Sequence, residues 1–124
     1  MLKYLLIGGG AFVGANARYL VQNWAAARWG ASFPFGTLLV NVTGSFILGF
    51  FLVAATERLP VSANWRWFAA VGLLGGYTTF SSFTYETLTL FQGERWLATA
   101  LYFGGNVIVG LVAAFAGILL ARAL

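Results

Sequence analysis

The chain has 124 residues, of which 60% are hydrophobic and 8% charged, and its formal net charge is +4. Soluble domains carry about 25% charged residues, so this composition belongs in a bilayer and not in water. Cysteine, histidine and aspartate are absent and the only acids are Glu57, Glu86 and Glu94, which excludes disulfides, thiolate and imidazole chemistry and the common transition-metal sites.

Four apolar stretches follow in chain order, each near the ~20 residues needed to cross ~30 Å of hydrocarbon. Met1-Leu2-Lys3 leads into the first, at about residues 4–24, without a small-residue cleavage site, so a retained span is expected and not a signal peptide. A short loop containing Arg28 precedes the second, at about 35–55, which stops at Glu57-Arg58-Leu59-Pro60. The third, at about 65–91, is long enough to hold a break; Gln92-Gly93-Glu94-Arg95 turns the chain into the fourth, at about 96–121. Trp24, Trp29, Trp65, Trp67 and Trp96 fall near the span ends, as an aromatic belt does. The expected fold is an all-α integral membrane protein, one domain over residues 1–124 with four transmembrane helices. The scattered basic residues form no cluster suited to nucleic acid.

Four spans put both termini on one side, with Lys3, Arg58, Arg66 and Arg122; Arg18, Arg28 and Arg95 fall on the other. Four basic residues against three give almost no positive-inside bias. The expectation is dual topology, with two opposed copies pairing as an antiparallel homodimer. Gly10-x-x-x-Gly14, Ser45-x-x-x-Gly49 and Gly110-x-x-x-Ala114 place small side chains one turn apart, the spacing that lets helix backbones approach.

The third stretch carries the run Gly75-Gly76-Tyr77-Thr78-Thr79-Phe80-Ser81-Ser82-Phe83. Backbone groups freed from a helix in lipid find no water, so a break there is tolerated only when buried in protein or lining a polar pathway. Beyond it, Phe80, Phe83, Thr84 and Thr87 share one helix face and Thr79, Ser82 and Glu86 another. Aromatic ring edges are positive, so two of them one turn apart beside hydroxyl donors suit an anion track. Asn41 in the second span is either an interhelical hydrogen bond or a donor offered to an anion; Tyr102 and Asn106, four apart in the fourth, either join the track or bond neighbouring helices. Arg18 and Glu86 are the deepest charges, at similar depth roughly 8–9 Å below the far helix ends. They form either a structural pair or a vestibule in which Arg18 attracts anions and Glu86 orients donors. Carbonyls freed at the break suit a monovalent cation such as Na⁺ better than Ca²⁺ or Mg²⁺, which favour carboxylates.

Three segments resemble the Fluc/CrcB family of fluoride channels: Gly14-Ala15-Asn16-Ala17-Arg18-Tyr19, Gly36-Thr37-Leu38-Leu39-Val40-Asn41, and the run Gly75 to Phe83 followed by Glu86. The resemblance covers essentially the whole chain. It implies a dual-topology antiparallel dimer with two pores, passive and selective fluoride export, and residence in the cytoplasmic membrane of a microbe. It implies that Phe80 and Phe83 meet fluoride, that Asn41 donates from the second span, and that Thr79, Ser82, Tyr102 and Asn106 extend a polar track. It further implies that Arg18 lines the vestibule and that main-chain carbonyls of Gly75 and Thr78 hold a structural Na⁺ at the dimer centre. Tyr77 and Asn106 depart from the leucine and serine associated with those places.

Two rivals remain. A four-span drug exporter of the small multidrug resistance type needs a carboxylate in its first span, and residues 4–24 hold none. A non-transporting assembly subunit explains the small-residue faces but not the break with its adjacent hydroxyls. An enzyme is not expected, since no nucleophile–base or metal arrangement is present.

Overall fold

The computed structural model describes all residues 1–124 and is entirely helical. Helix α1 runs Leu2–Trp29. Helix α2 runs Phe35–Arg58 and helix α5 runs Trp96–Arg122; both are long and apolar enough to cross a membrane. The third rod is broken into α3, residues 63–77, and α4, Phe80–Gln92. Neither half alone spans a bilayer, whereas the two together are of that length.

The break lies inside the run expected to contain it but beyond the glycine pair. Gly75 keeps helical angles (φ −64, ψ −36), while Thr78 (φ −84, ψ 158) and Thr79 (φ −151, ψ 116) are extended. The glycines serve packing instead: a Cβ on Gly76 would sit 2.8 Å from the Ala11 carbonyl oxygen of α1. Threonines suit the break because their neighbourhood supplies the bonds that the helix gives up. The Thr79 hydroxyl caps α4 by accepting the Ser82 N–H at 3.2 Å. The Thr79 N–H itself donates to Asn41 Oδ1 at 2.8 Å.

All three small-residue motifs sit at helix contacts. Cβ atoms on Gly10 and Gly14 would lie 2.2 and 2.0 Å from the Phe68 and Leu73 carbonyl oxygens of α3. The other two motifs pack on each other, with Gly49 against Ala114 and Gly110 facing Ser45. Thus α3 lies along α1, α2 lies between α1 and the C-terminal half of α5, and α4 crosses to the N-terminal half of α5. The break is where the third rod changes neighbours.

Both termini share one side. There Arg66 donates to the Ala55 carbonyl (2.6 Å), Arg58 to the Arg122 carbonyl, and Arg122 pairs with Glu57 at 3.3 Å. Lys3 lies over the Tyr4 and Trp67 rings. On the opposite side Arg95 donates to the Ser32 carbonyl. Three segments are wound with wider π-type turns, Ala54–Arg58, Arg66–Leu74 and Gly105–Val109. Only 18 of the 124 residues are buried, so most of the apolar surface is left for lipid or another chain.

Candidate functional site

Asn41 clasps the break. Its Nδ2 donates to the Thr79 carbonyl at 3.0 Å and to Asn106 Oδ1 at 2.9 Å, and its Oδ1 accepts the Thr79 N–H. One amide therefore ties α2, the break and α5 together. Asn106 lies in the wide turn of α5 and anchors its own Nδ2 on the Tyr102 carbonyl at 3.0 Å. Of the two alternatives open for Asn41 in the sequence, the interhelical bond is present in the single chain. Tyr77 and Asn106 both have partners: the Tyr77 and Thr43 hydroxyls are 3.0 Å apart, and Asn106 holds Asn41.

An open cleft of about 410 Å³ lies beside the clasp, lined by Asn41, Ser45, Thr79, Phe80, Phe83 and Asn106 among others. The Phe80 and Phe83 rings meet edge-on, centroids 5.7 Å apart at 62°. Their environments differ: Phe80 is 76% exposed, while Phe83 is 6% exposed and packed on Tyr102 and Phe103. The hydroxyls of the two expected faces also differ. Thr79 Oγ1 donates to Ser82 Oγ at 3.1 Å, whereas Thr84 and Thr87 spend their protons on carbonyls of their own helix.

Glu86 lies on the side away from the termini, in a second open cleft of about 390 Å³ shared with Gln22, Thr37 and Ser82. It accepts from Thr37 Oγ1 at 3.1 Å and from the Tyr102 hydroxyl. Gln22 Nε2 in turn donates to Thr37 Oγ1 at 3.0 Å. The sequence reasoning missed Gln22 and Thr37. The signal for them is their polarity in otherwise apolar spans, and Thr37 stands four residues before Asn41 on the same helix face.

Arg18 and Glu86 do not pair. Arg18 Nη1 reaches the Thr78 carbonyl at 3.3 Å, which places the guanidinium level with the break. Helix α1 runs on to Trp29, past the expected end near residue 24, and its Gly14 packs on Leu73 and Tyr77, so Arg18 one turn later lies deeper than the expected bounds implied. Lys3, Arg58, Arg66 and Arg122 then remain on the termini side, with only Arg28 and Arg95 at the opposite end. At the break the Thr79 N–H goes to Asn41, which leaves the Gly75 carbonyl without its usual partner one turn on. Gly75 itself faces open space: the nearest atom to a Cβ added there would be the Ala70 carbonyl oxygen, at 3.9 Å.

Residues 5–118 match the family described as "CrcB-like protein, Camphor Resistance (CrcB)". The fluoride-specific ion channel FluC of Roseiflexus sp. (strain RS-1) is 50% identical over 123 residues, covering 99% of each chain. That of Koribacter versatilis is 47% identical over 122 residues, 98% of this chain and 94% of the relative. That of Sulfurihydrogenibium sp. is 46% identical over 124 residues, the whole of both chains. With identity of this order over the full length, the chain belongs to the CrcB-like family.

Proposed function

We propose that this membrane protein is a fluoride-selective channel. It lets fluoride leave passively across the cytoplasmic membrane of a microbe and so lowers cytoplasmic fluoride and its toxicity. The observation that carries the reading is the break at Thr78 and Thr79, held by Asn41 and flanked by the edge-on rings of Phe80 and Phe83. The names of the relatives supply the ion.

Fluoride is strongly hydrated, and a pathway through lipid must replace that water. Ring edges of Phe80 and Phe83 offer weak positive contacts that hold the ion without trapping it. Asn41, Thr79, Ser82, Tyr102 and Asn106 continue the route as donors. In the single chain several of these donors are bonded to one another, so fluoride passes by exchanging with those bonds. Arg18 contributes a positive charge level with the break, and Glu86 orients donors without being a ligand.

The working unit in this proposal is an antiparallel homodimer with two pores. The Gly75 and Thr78 carbonyls suit a central structural Na⁺ by donor type, being neutral oxygens at the negative end of helix α3. Arg18 shares the Thr78 oxygen, whose second lone pair is still available. Two carbonyls from one chain leave the shell incomplete, and an opposed copy supplies the equivalent pair. The exposed Gly75 lets that copy approach.

Liposomes holding the purified chain and loaded with fluoride and chloride test the proposal, with each ion followed by its electrode. Rapid fluoride loss with negligible chloride loss is expected. No fluoride loss from vesicles containing folded protein would move the assembly-subunit reading to first place.

A further inference from the structure

Glu86 is the one carboxylate set among other helices, since Glu57 pairs with Arg122 at an exposed end and Glu94 lies in a turn. No basic side chain lies within salt-bridge distance of it. Its charge is held by two hydroxyls, those of Thr37 and Tyr102. A hydroxyl has a single proton, and what fixes the direction of that proton fixes the donor.

Six other threonines, at positions 43, 56, 78, 87, 89 and 99, donate to the carbonyl one turn back in their own chain. Thr37 instead sends its proton across to another helix. The difference is Gln22. Its Nε2 can only donate, so at 3.0 Å it occupies the acceptor side of Thr37 Oγ1 and leaves the Thr37 proton for Glu86. Gly36 makes this contact possible: a Cβ there would lie 2.6 Å from the Gln22 Cα, so α1 and α2 touch at that point. Thr37 is 2% exposed, and water does not compete for its hydroxyl.

We propose that Gln22 is a positioning residue for fluoride passage: it polarises the Thr37 hydroxyl toward Glu86 and keeps that carboxylate out of the anion's way. Without the amide, Thr37 is free to turn its proton to its own backbone. Glu86 then loses a donor and is free to swing into the cleft that it shares with Ser82, where its charge repels an anion. The inference rests on the fluoride reading above.

The test uses the full chain in liposomes with Gln22→Met, which keeps length and shape but cannot donate. Fluoride flux falls by about threefold to tenfold, the worth of one hydrogen bond in a chain ending on a charge. Gln22→Glu, an acceptor of the same size, loses at least as much. Thr37→Ser, which keeps the hydroxyl, stays near wild type. Gln22→Met adds no further loss in a Thr37→Val background, because both act through one proton. A multiplied loss in that background, or wild-type flux in Gln22→Met, overturns the proposal. Infrared spectra in a Glu57→Gln, Glu94→Gln background leave Glu86 as the only side-chain carboxylate, and its stretch is read over the constant band of the C-terminal carboxylate. The Glu86 band shifts with Gln22→Met if the chain of donors is real, and an unmoved band overturns it. Should the wild type itself pass no fluoride, the channel reading falls, while the infrared band still decides the role of Gln22.

Discussion

At the residue scale, the two phenylalanines of the break make different demands on the fold. Phe83 is buried against Tyr102 and Phe103, whereas Phe80 stands open in its cleft. Phe83→Ile therefore removes the contacts with Tyr102 and Phe103 as well as a ring proposed to line the pore, and costs about 1–3 kcal/mol of stability. Phe80→Ile costs the single chain little. Both variants are expected to abolish fluoride efflux, but only Phe83→Ile should lower the melting midpoint in detergent by several degrees. Normal flux in both would remove the rings from the pathway. Asn41 differs again: Asn41→Leu strands the Thr79 N–H and the Asn106 amide in an apolar setting, at about 1–3 kcal/mol for each stranded group. Its melting midpoint should fall further than that of either phenylalanine variant. The sequence identified Asn41, Phe80 and Phe83 by type and spacing, yet it left Asn41 undecided between clasp and donor. That choice depends on Asn106, which lies 65 residues away and is brought to it by the packing of α2 on α5.

At the element scale, the broken rod was legible because glycines and hydroxyls are costly inside a lipid-crossing helix. Its position was not. Glycine pairs read locally as helix breakers, but Gly76 is helical and used for close approach to α1, and that partner cannot be seen from the run itself. What locates the break at Thr79 is its side chain, which satisfies the next helix by accepting from Ser82. Thr79→Val keeps the shape and removes the cap, so a loss of about 1 kcal/mol is expected, with earlier amide exchange at Ser82 than in the wild type. Equal exchange rates would show that the cap is not what holds the N-terminus of α4. Gly14→Val tests the other side of the same rod. Its side chain would be driven into the Leu73 carbonyl, 2.0 Å from the Cβ, with no flexible atom to yield. That variant should fail to give folded protein, whereas Gly8→Val, with open space around it, should fold normally.

At the scale of the whole molecule, the sparse burial within one chain calls for an apolar partner, and the charge distribution bears on which way that partner faces. Placing Arg18 at the break leaves four basic side chains on the termini side and two on the other, a larger excess than the four against three counted from the sequence. The positive-inside rule counts charges near span ends, so a guanidinium held at the break has little vote. If the proposed antiparallel dimer is the conducting form, the chain must still insert both ways, and enlarging the bias must cost function. Ser62→Lys with Ala63→Lys adds two charges on the termini side at exposed positions, away from both clefts. Expressed alone, that variant should insert in one orientation and lose fluoride export. Co-expressed with the wild type, which supplies opposed copies, it should be recovered in a mixed dimer. Gly75→Asp probes the dimer centre from within. It faces open space in the single chain and so should leave the helices folded, yet two opposed copies would bring the aspartates together where carbonyls are proposed to meet Na⁺. Folded monomer with no dimer is the expected outcome, read by size in detergent with and without Na⁺. An unchanged dimer without Na⁺ dependence would place the contact between copies somewhere else on the exposed apolar surface. If the lysine variant also kept full export when expressed alone, the copies would have to run parallel, and the pathway would have to be built from like ends of the chain.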